Sequence, residues 1–336
     1  MLEGTLQYPY YKNGRKLTTK EEKKILPKEP LDKASIWHGY NFIKMNSTYL
    51  ETVNNCFFLK GNAYLNSLFA FYLVAPIFIM VWGVLFYSVV FKEESSFLAF
   101  LVVFSPLHLI WVGGFFIFYK VSKNLNKYEK FGYNYYPIRF NRKNKKVYVY
   151  DVTGNIFEGE WDKIDFVLNS RLGGYEGTFW EVKGFIKDDQ DIITYTFAFA
   201  LGKDKKQQTL EIWEFIKTYM SEGPESLYYN KNASDIIGRL PRNKLSYCLD
   251  IENKPESLER SKQIVALDYQ SEIRSFYSRA MINILGFCRN KFITVIKQPI
   301  WPKSVEDVCI IYQNDPYVVD ASTTYQLDTY GRVIKS

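Results

Sequence analysis

Two uncharged apolar runs dominate the pattern of the first half of the chain. From Ser67 to Phe91 there are 25 residues without Asp, Glu, Lys or Arg, and a second uncharged run of 25 residues extends from Ser95 to Tyr119. Each is close to the length a helix needs to cross about 30 Å of hydrocarbon. Water-facing helices carry a polar stripe, and neither run has one. The pattern predicts a transmembrane helical hairpin, and its link, Lys92 to Ser96, is short enough to make the two helices antiparallel neighbours. Pro76 and Pro106 are candidate kinks, and His108 is the titratable side chain at membrane depth, a candidate intramembrane contact.

From Tyr135 the period changes to short β-branched and aromatic runs separated by turn residues. Strands are predicted at Tyr136–Phe140, Lys146–Asp151, Ile156–Trp161, Ile164–Leu168, Thr178–Lys187 and Ile192–Leu201. A strand about every ten residues argues for an antiparallel meander rather than βαβ units. An amphipathic helix follows over Gln208–Met220, stopped by Gly223-Pro224. Strands closed by one helix give the order of a pleckstrin-homology-like β-domain with a C-terminal capping helix, a fold-level analogy that says little about ligand. The expected fold class is therefore a membrane α-helical hairpin plus cytoplasmic α+β. Beyond it, Pro255–Asn283 reads as helix with Ile264, Leu267 and Ile273 toward a core, and Ala280–Cys288 reads as a buried helix in preference to one lying on a membrane surface.

Charge orients this arrangement. Residues 1–60 hold ten Lys and Arg against six acids, residues 120–146 hold nine against Glu129 alone, and the link holds Lys92 against Glu93 and Glu94. Basic residues near spans stay inside, so the expected topology is multi-pass with both termini cytoplasmic. Lys120, Lys123, Lys127 and Lys130 would share one helical face at headgroup level, through topology and snorkelling more than specific lipid recognition. The net charge of +7 is concentrated there. Phospholipid then supplies the phosphates, and nucleic acid is not expected as a partner. The expected divisions are a cytoplasmic N-terminal region (1–64), the hairpin (65–119), a basic juxtamembrane helix (120–132), the β-domain (133–224) and a mixed C-terminal region (225–336).

Candidate chemistry is sparse. Cys56, Cys248, Cys288 and Cys309 form no CxxC pair and only His38 and His108 accompany them, so neither a metal site nor a cofactor is expected. The cysteines read as small buried apolar residues of a reducing compartment. The acids Glu158, Glu160 and Asp162, and Asp188, Asp189 and Asp191, fall at strand ends and turns and read as solvated rather than catalytic. Arg171 with Gly173-Gly174 lacks a following helix to aim amides at a phosphate and reads as a hairpin tip. No catalytic residue is expected, and the chain does not read as an enzyme.

The run YYPIRFNRKNKKVYVYDVTGNIFEGEWDKIDF with LEIWEFIKTYMSEGPESL resembles an uncharacterised family of bacterial two-transmembrane inner-membrane proteins, often encoded beside type VI secretion and toxin effector genes. Pro137, Arg139, Asn141, Trp161, Trp213 and the Glu222-Gly223-Pro224 turn carry the resemblance. It implies a protein partner, either a toxin effector or a secretion component, and no catalytic residues. The expected function is an immunity protein neutralising a type VI toxin by direct binding in the membrane or cytoplasm. The alternatives are a membrane-anchored adaptor for effector export and a lipid-sensing membrane protein.

Overall fold

In the computed structural model the described residues are 11–31, 36, 39–58, 60–61, 132–172, 178–203, 206–229, 247–252, 255–268, 276–293, 297–329 and 334, with positions 76, 79–84, 87, 113 and 116. A short helix α1 (Thr19–Glu22) precedes strands β1 (Phe42–Met45) and β2 (Tyr49–Val53). Strands β3 (Pro137–Asn141), β4 (Lys146–Tyr150), β5 (Ile156–Glu160), β6 (Asp165–Leu172), β7 (Thr178–Lys187) and β8 (Ile193–Lys203) follow. Helices α2 (Lys206–Ser221), α3 (Pro224–Tyr229), α4 (Leu258–Asp268), α5 (Phe276–Ile293) and α6 (Lys303–Glu306) complete the described elements.

The strands form two antiparallel sheets, one of five strands in the order β1-β2-β3-β4-β5 and one of three in the order β6-β7-β8. Each is a run of sequence-neighbour pairings, made through short connections except between β2 and β3, which residues 54–136 separate. Asn141 shapes the first turn of the meander, its Oδ1 accepting from the amides of Lys143 and Asn144. Asp188 does the same for β7–β8 by accepting from the amides of Gln190 and Ile192.

Alternation along the strands builds the core. Leu50, Ile138, Phe140, Val147 and Val149 of the larger sheet meet Phe166, Val182, Phe197 and Phe199 of the smaller one. Helix α2 closes them with Ile212, Trp213, Phe215, Ile216, Tyr219 and Met220. Trp213 lies 5.7 Å from Trp161 and 4.6 Å from Phe166, ring centre to ring centre, so the aromatic pairs add packing beyond the area they bury.

The N-terminal arm straps the smaller sheet and α2. Ile25 bridges Val167, the Leu26 amide donates to the Phe166 carbonyl, and the Gly14 amide donates to the Ile193 carbonyl. The Trp213 indole donates to the Pro27 carbonyl and the buried Lys217 ammonium to the Glu29 carbonyl. A capping box between Thr18 and Glu21 starts α1.

Helices α4 and α5 pack on one another through Val265, Ala266, Ile282 and Leu285. Arg289 of α5 is buried against the ring of Phe57, donates to the Phe57 carbonyl at 2.6 Å, and forms a two-pronged pair with Glu256 at 2.6 and 3.1 Å. Gly61, at φ +95°, passes within 2.7 Å of the Arg289 backbone at the point where a Cβ would stand, so only glycine fits there.

The expected membrane hairpin is overturned: among the described residues no helix is long and apolar enough to cross a membrane. Most of 67–91 and 95–119 lies outside the described residues; those described there are helical, with Ile79, Met80, Val84, Tyr87 and Phe116 exposed. The multi-pass inner-membrane location with cytoplasmic termini rested on that hairpin and falls with it. Phe140, Trp161, Phe166, Phe197, Phe199 and Trp213 pack in the core between the two sheets and α2. The pleckstrin-homology-like fold class also gives way to an α+β arrangement of two antiparallel sheets. The larger sheet starts at Phe42, because β2 pairs with β3 along its whole length from Tyr49–Asn141 to Val53–Pro137. The strands and helix within 137–221 lie where the pattern predicts them, to within a few residues.

Candidate functional site

The charged residues expected at the membrane, Lys120, Lys123, Lys127 and Lys130, and the candidate contact His108 lie outside the described residues. The acidic clusters are surface features. Glu158 pairs with Lys146, Glu160 with Lys163, and Asp191 with Lys187. Leu172 pairs with Thr178, the register of a hairpin, and residues 173–177 between them lie outside the described residues. Cys56, Cys248, Cys288 and Cys309 are all buried thiols outside any disulfide, and burial pushes the Cys309 thiol up. Among the described residues no group of His, Cys, Asp or Glu could hold a metal ion.

What the sequence pattern does not announce is a row of charge across the outer face of the larger sheet. Register sets Lys44 opposite Glu51, Glu51 opposite Arg139, Arg139 opposite Tyr148 and Tyr148 opposite Glu158. Opposite charges on directly facing positions attract. Arg139, 2% exposed, donates Nε to Glu51 at 2.8 Å, and its Nη2 stands 3.1 Å from Glu306 of α6. Its guanidinium lies 4.7 Å from the ring centres of both Tyr49 and Trp301. The Trp301 indole donates to the second oxygen of Glu51 at 3.0 Å, and Lys44 reaches Glu252 at 2.6 Å.

Burial opposes charge on Lys44, Arg139 and Glu252. It would lower Lys44 and Arg139, yet the facing Glu51 carboxylate, with Tyr49 and the further acids beside each, outweighs it and holds both cations firmly protonated. Burial, with Glu51 nearby, raises Glu252 above the ordinary carboxylate range, and Lys44 moderates the rise. Burial likewise pushes Tyr49 up to about 12.

This row bolts the segment 300–312 onto the sheet. Trp301, Val305 and Cys309 pack on Tyr49, Tyr148 and Tyr150, and the Asn141 amide donates to the Val308 carbonyl at 2.7 Å. The segment's end is tied by the Tyr312 carbonyl to the Asp315 amide, and Asp315 accepts from the Ser47 amide and hydroxyl. On this braced frame Ile300, Val308, Ile310, Ile311 and Tyr312 are exposed, Ile300 at 79% and Ile310 at 55%. A run of large apolar side chains held outward by a fixed backbone is a surface feature that folding alone does not call for.

A second concave feature lies at the N-terminus of α4, where a cavity of 470 Å³ is lined by Asn134, Ile251, Glu256, Glu259, Arg260 and Leu327 among others. The Ser257 hydroxyl caps the helix by accepting from the Arg260 amide at 3.2 Å.

Residues 115–312, more than half of the chain, match the model of a family of unknown function, DUF6708. The chain belongs to this DUF6708 family. No curated protein and no solved structure matches it. The family segment runs from before β3 to Tyr312, so it holds Arg139, Trp301, Glu306 and the exposed 308–312 run, whereas Glu51 and Lys44 lie upstream of it. Every residue that carried the sequence resemblance falls inside the family segment and serves the framework. Pro137 opens β3, Arg139 and Asn141 hold the C-terminal segment, and Trp161 and Trp213 stack in the core. Gly223, at φ +101°, lies where a Cβ would meet the Arg142 guanidinium, and Pro224 opens α3.

Proposed function

We propose that this DUF6708 protein is a binding protein that engages a protein partner through the exposed surface Ile300, Val308, Ile310, Ile311 and Tyr312. The observation that carries the reading is the combination of large exposed apolar side chains with a backbone anchored by Arg139, Asn141 and Asp315. A preordered surface loses little conformational freedom on binding, which favours affinity for a given area. Aromatic and branched aliphatic side chains such as Tyr312 and Ile311 are the kind that fill pockets at an interface centre.

The partner class is a toxin effector, and the role is that of an immunity protein. The sequence resemblance supports this reading, and direct binding needs no catalytic group. The test is co-expression with each toxin effector gene found beside this one. Wild-type protein rescues growth and co-purifies with the toxin, and Ile311→Asp with Tyr312→Asp abolishes both while leaving the thermal midpoint unchanged. Full rescue by the double variant sinks the proposed surface, and lack of rescue by the wild type sinks the immunity role. The adaptor reading predicts the opposite phenotype, in which deletion stops export of the effector and leaves its producer unharmed.

A further inference from the structure

None of residues 11–31 is buried, yet this strap reaches both outer edges of the three-stranded sheet. At the β8 edge the Gly14 amide donates to the Ile193 carbonyl and the Ile193 amide to the Arg15 carbonyl. At the β6 edge the Leu26 amide donates to the Phe166 carbonyl at 2.7 Å and the Leu168 amide to the Lys24 carbonyl at 3.2 Å. The strap then crosses α2, which meets it with side chains. Trp213 and Lys217 donate to the carbonyls of Pro27 and Glu29 at 3.2 and 2.9 Å, and Glu214 accepts from the Leu31 amide at 2.7 Å.

Every one of these bonds is made to the main chain of the strap. An extended segment of another sequence offers the same carbonyls and amides, so the β6 edge and α2 together form a groove that reads backbone, as a sheet edge does when it takes up an added strand. Its demands on side chains are few. Leu26 packs against the core, Pro27 brings no amide to be satisfied, and Lys28 donates Nζ to the Asp162 carbonyl at 2.7 Å. Burial lowers the Lys28 ammonium, and the Asp165 and Asp162 carboxylates nearby oppose that. The pattern the groove accepts is therefore apolar, proline, basic. Release of the strap is also cheap in the terms that hold a core together. Lys217 and Glu214 pair with each other at 2.8 Å and keep that pairing without it, and a segment with no buried residue forfeits little apolar burial on leaving.

We infer that the groove between the β6 edge and α2 is a docking site for an extended segment of a partner protein with an apolar–proline–basic sequence, and that the strap is its resident until such a segment displaces it. The strap of a second copy is the poorer occupant. It brings the same contacts as the resident strap, whose tether holds it at an effective concentration on the order of millimolar. A segment of another protein can add contacts outside the groove and so overcome that advantage. The inference goes beyond the exposed apolar surface proposed above and does not depend on it.

The probe is a fluorescein-labelled peptide with the sequence of Lys23–Leu31, KKILPKEPL, titrated with the full chain and read by fluorescence anisotropy. Leu26→Asp in the chain loosens the resident strap and is expected to lower the dissociation constant of the peptide about tenfold relative to the unmodified chain, the worth of a half-buried leucine contact. A peptide carrying the same Leu26→Asp change is expected to bind neither chain, and near-ultraviolet circular dichroism checks that the variant chain is folded. Hydrogen exchange on the unmodified chain is the second measurement. The amides of Leu26 and Leu168 are expected to exchange at least about a hundredfold faster than those of the central strand β7, through an opening that leaves the sheet intact. Exchange of both sets at one common rate makes the strap part of the core and overturns the inference. So does the absence of saturable peptide binding to the folded Leu26→Asp chain, or equal binding of the two peptides. Dimers of the unmodified chain that grow with concentration in sedimentation would put a second copy's strap in the groove and overturn the assignment to another protein.

Discussion

Glu51 accepts from the Arg139 guanidinium and the Trp301 indole with only 1% of its side chain exposed, and Lys44 stands 3.7 Å from the same carboxylate. A buried pair of this kind contributes little net stability compared with apolar packing, because both charges lose their hydration. Breaking it from one side is another matter. Glu51→Gln leaves Arg139 charged and enclosed between Tyr49 and Trp301, paired with Glu306 at 3.1 Å, and is expected to cost about 3–5 kcal/mol. That is a large share of the roughly 5–15 kcal/mol that holds a typical domain together. The double replacement Glu51→Leu with Arg139→Met removes both charges, so it is expected to be less destabilising than Glu51→Gln alone. Urea unfolding of the three proteins decides this, and a double variant weaker than the single one contradicts the account. At the same scale, the sequence places Trp213 on one face of the predicted helix Gln208–Met220 but does not show that it meets Trp161. Their stacking depends on Phe166 and Phe199, which lie on other elements.

Among the elements, Gly286 sets how close α4 and α5 come. A Cβ placed there would stand 2.9 Å from the Lys262 Cα and 3.1 Å from its amide nitrogen, so the obstacle is backbone and cannot swing aside. Alanine is a better helix former than glycine by about 1 kcal/mol. The two helices must still separate to admit the methyl group, at an overpacking cost of about 1–3 kcal/mol. Gly286→Ala is therefore expected to lower the thermal midpoint despite its higher helix propensity, as differential scanning calorimetry would show; a higher midpoint would mean that the contact yields. This contact was not legible in the sequence, where 280–288 gives only an uncharged helical run. The runs from β3 to α2 were legible because their polarity alternates with period two or 3.6 and their ends carry Asn141, Asp188 and Gly223. Strands β1 and β2 were not, since both faces of β2 are buried and Glu51 and Thr52 give it no alternation. In the exposed 308–312 run nothing in VCIIY says that Cys309 points inward and its neighbours outward. That depends on Tyr148 and Asn141, more than 150 residues earlier.

At the scale of the whole molecule, the family segment 115–312 is not the folding unit, because its first strand β3 pairs along its full length with β2, and Arg139 finds Glu51 there. Expressed alone, residues 115–312 are expected to aggregate through the opened edge of β3, whereas the full chain stays monodisperse on gel filtration; a soluble, cooperatively unfolding fragment would refute this. The same assembly makes the protein sensitive to alkali. Burial raises Tyr49 and Tyr150 to about 12, the latter helped by the neighbouring Tyr133, and burial also raises Tyr40, Tyr136 and Tyr219 above the ordinary value of 10.0. In the unfolded chain these phenols ionise near 10, so above that pH the unfolded state releases protons that the folded state retains. The stabilisation from keeping them neutral is complete below pH 10 and is lost as pH rises through about 12. Because Tyr49 and Tyr150 lie under Trp301 while Tyr136, just before β3, and Tyr219 of α2 are buried in the core, the ionisation of these four cannot proceed one ring at a time without opening the sheets. Tyrosinate absorbance is therefore expected to rise in a steep step above pH 10, coincident with loss of the near-ultraviolet circular dichroism signal. A gradual titration centred on pH 10 with that signal intact would show that these rings reach water in the folded protein.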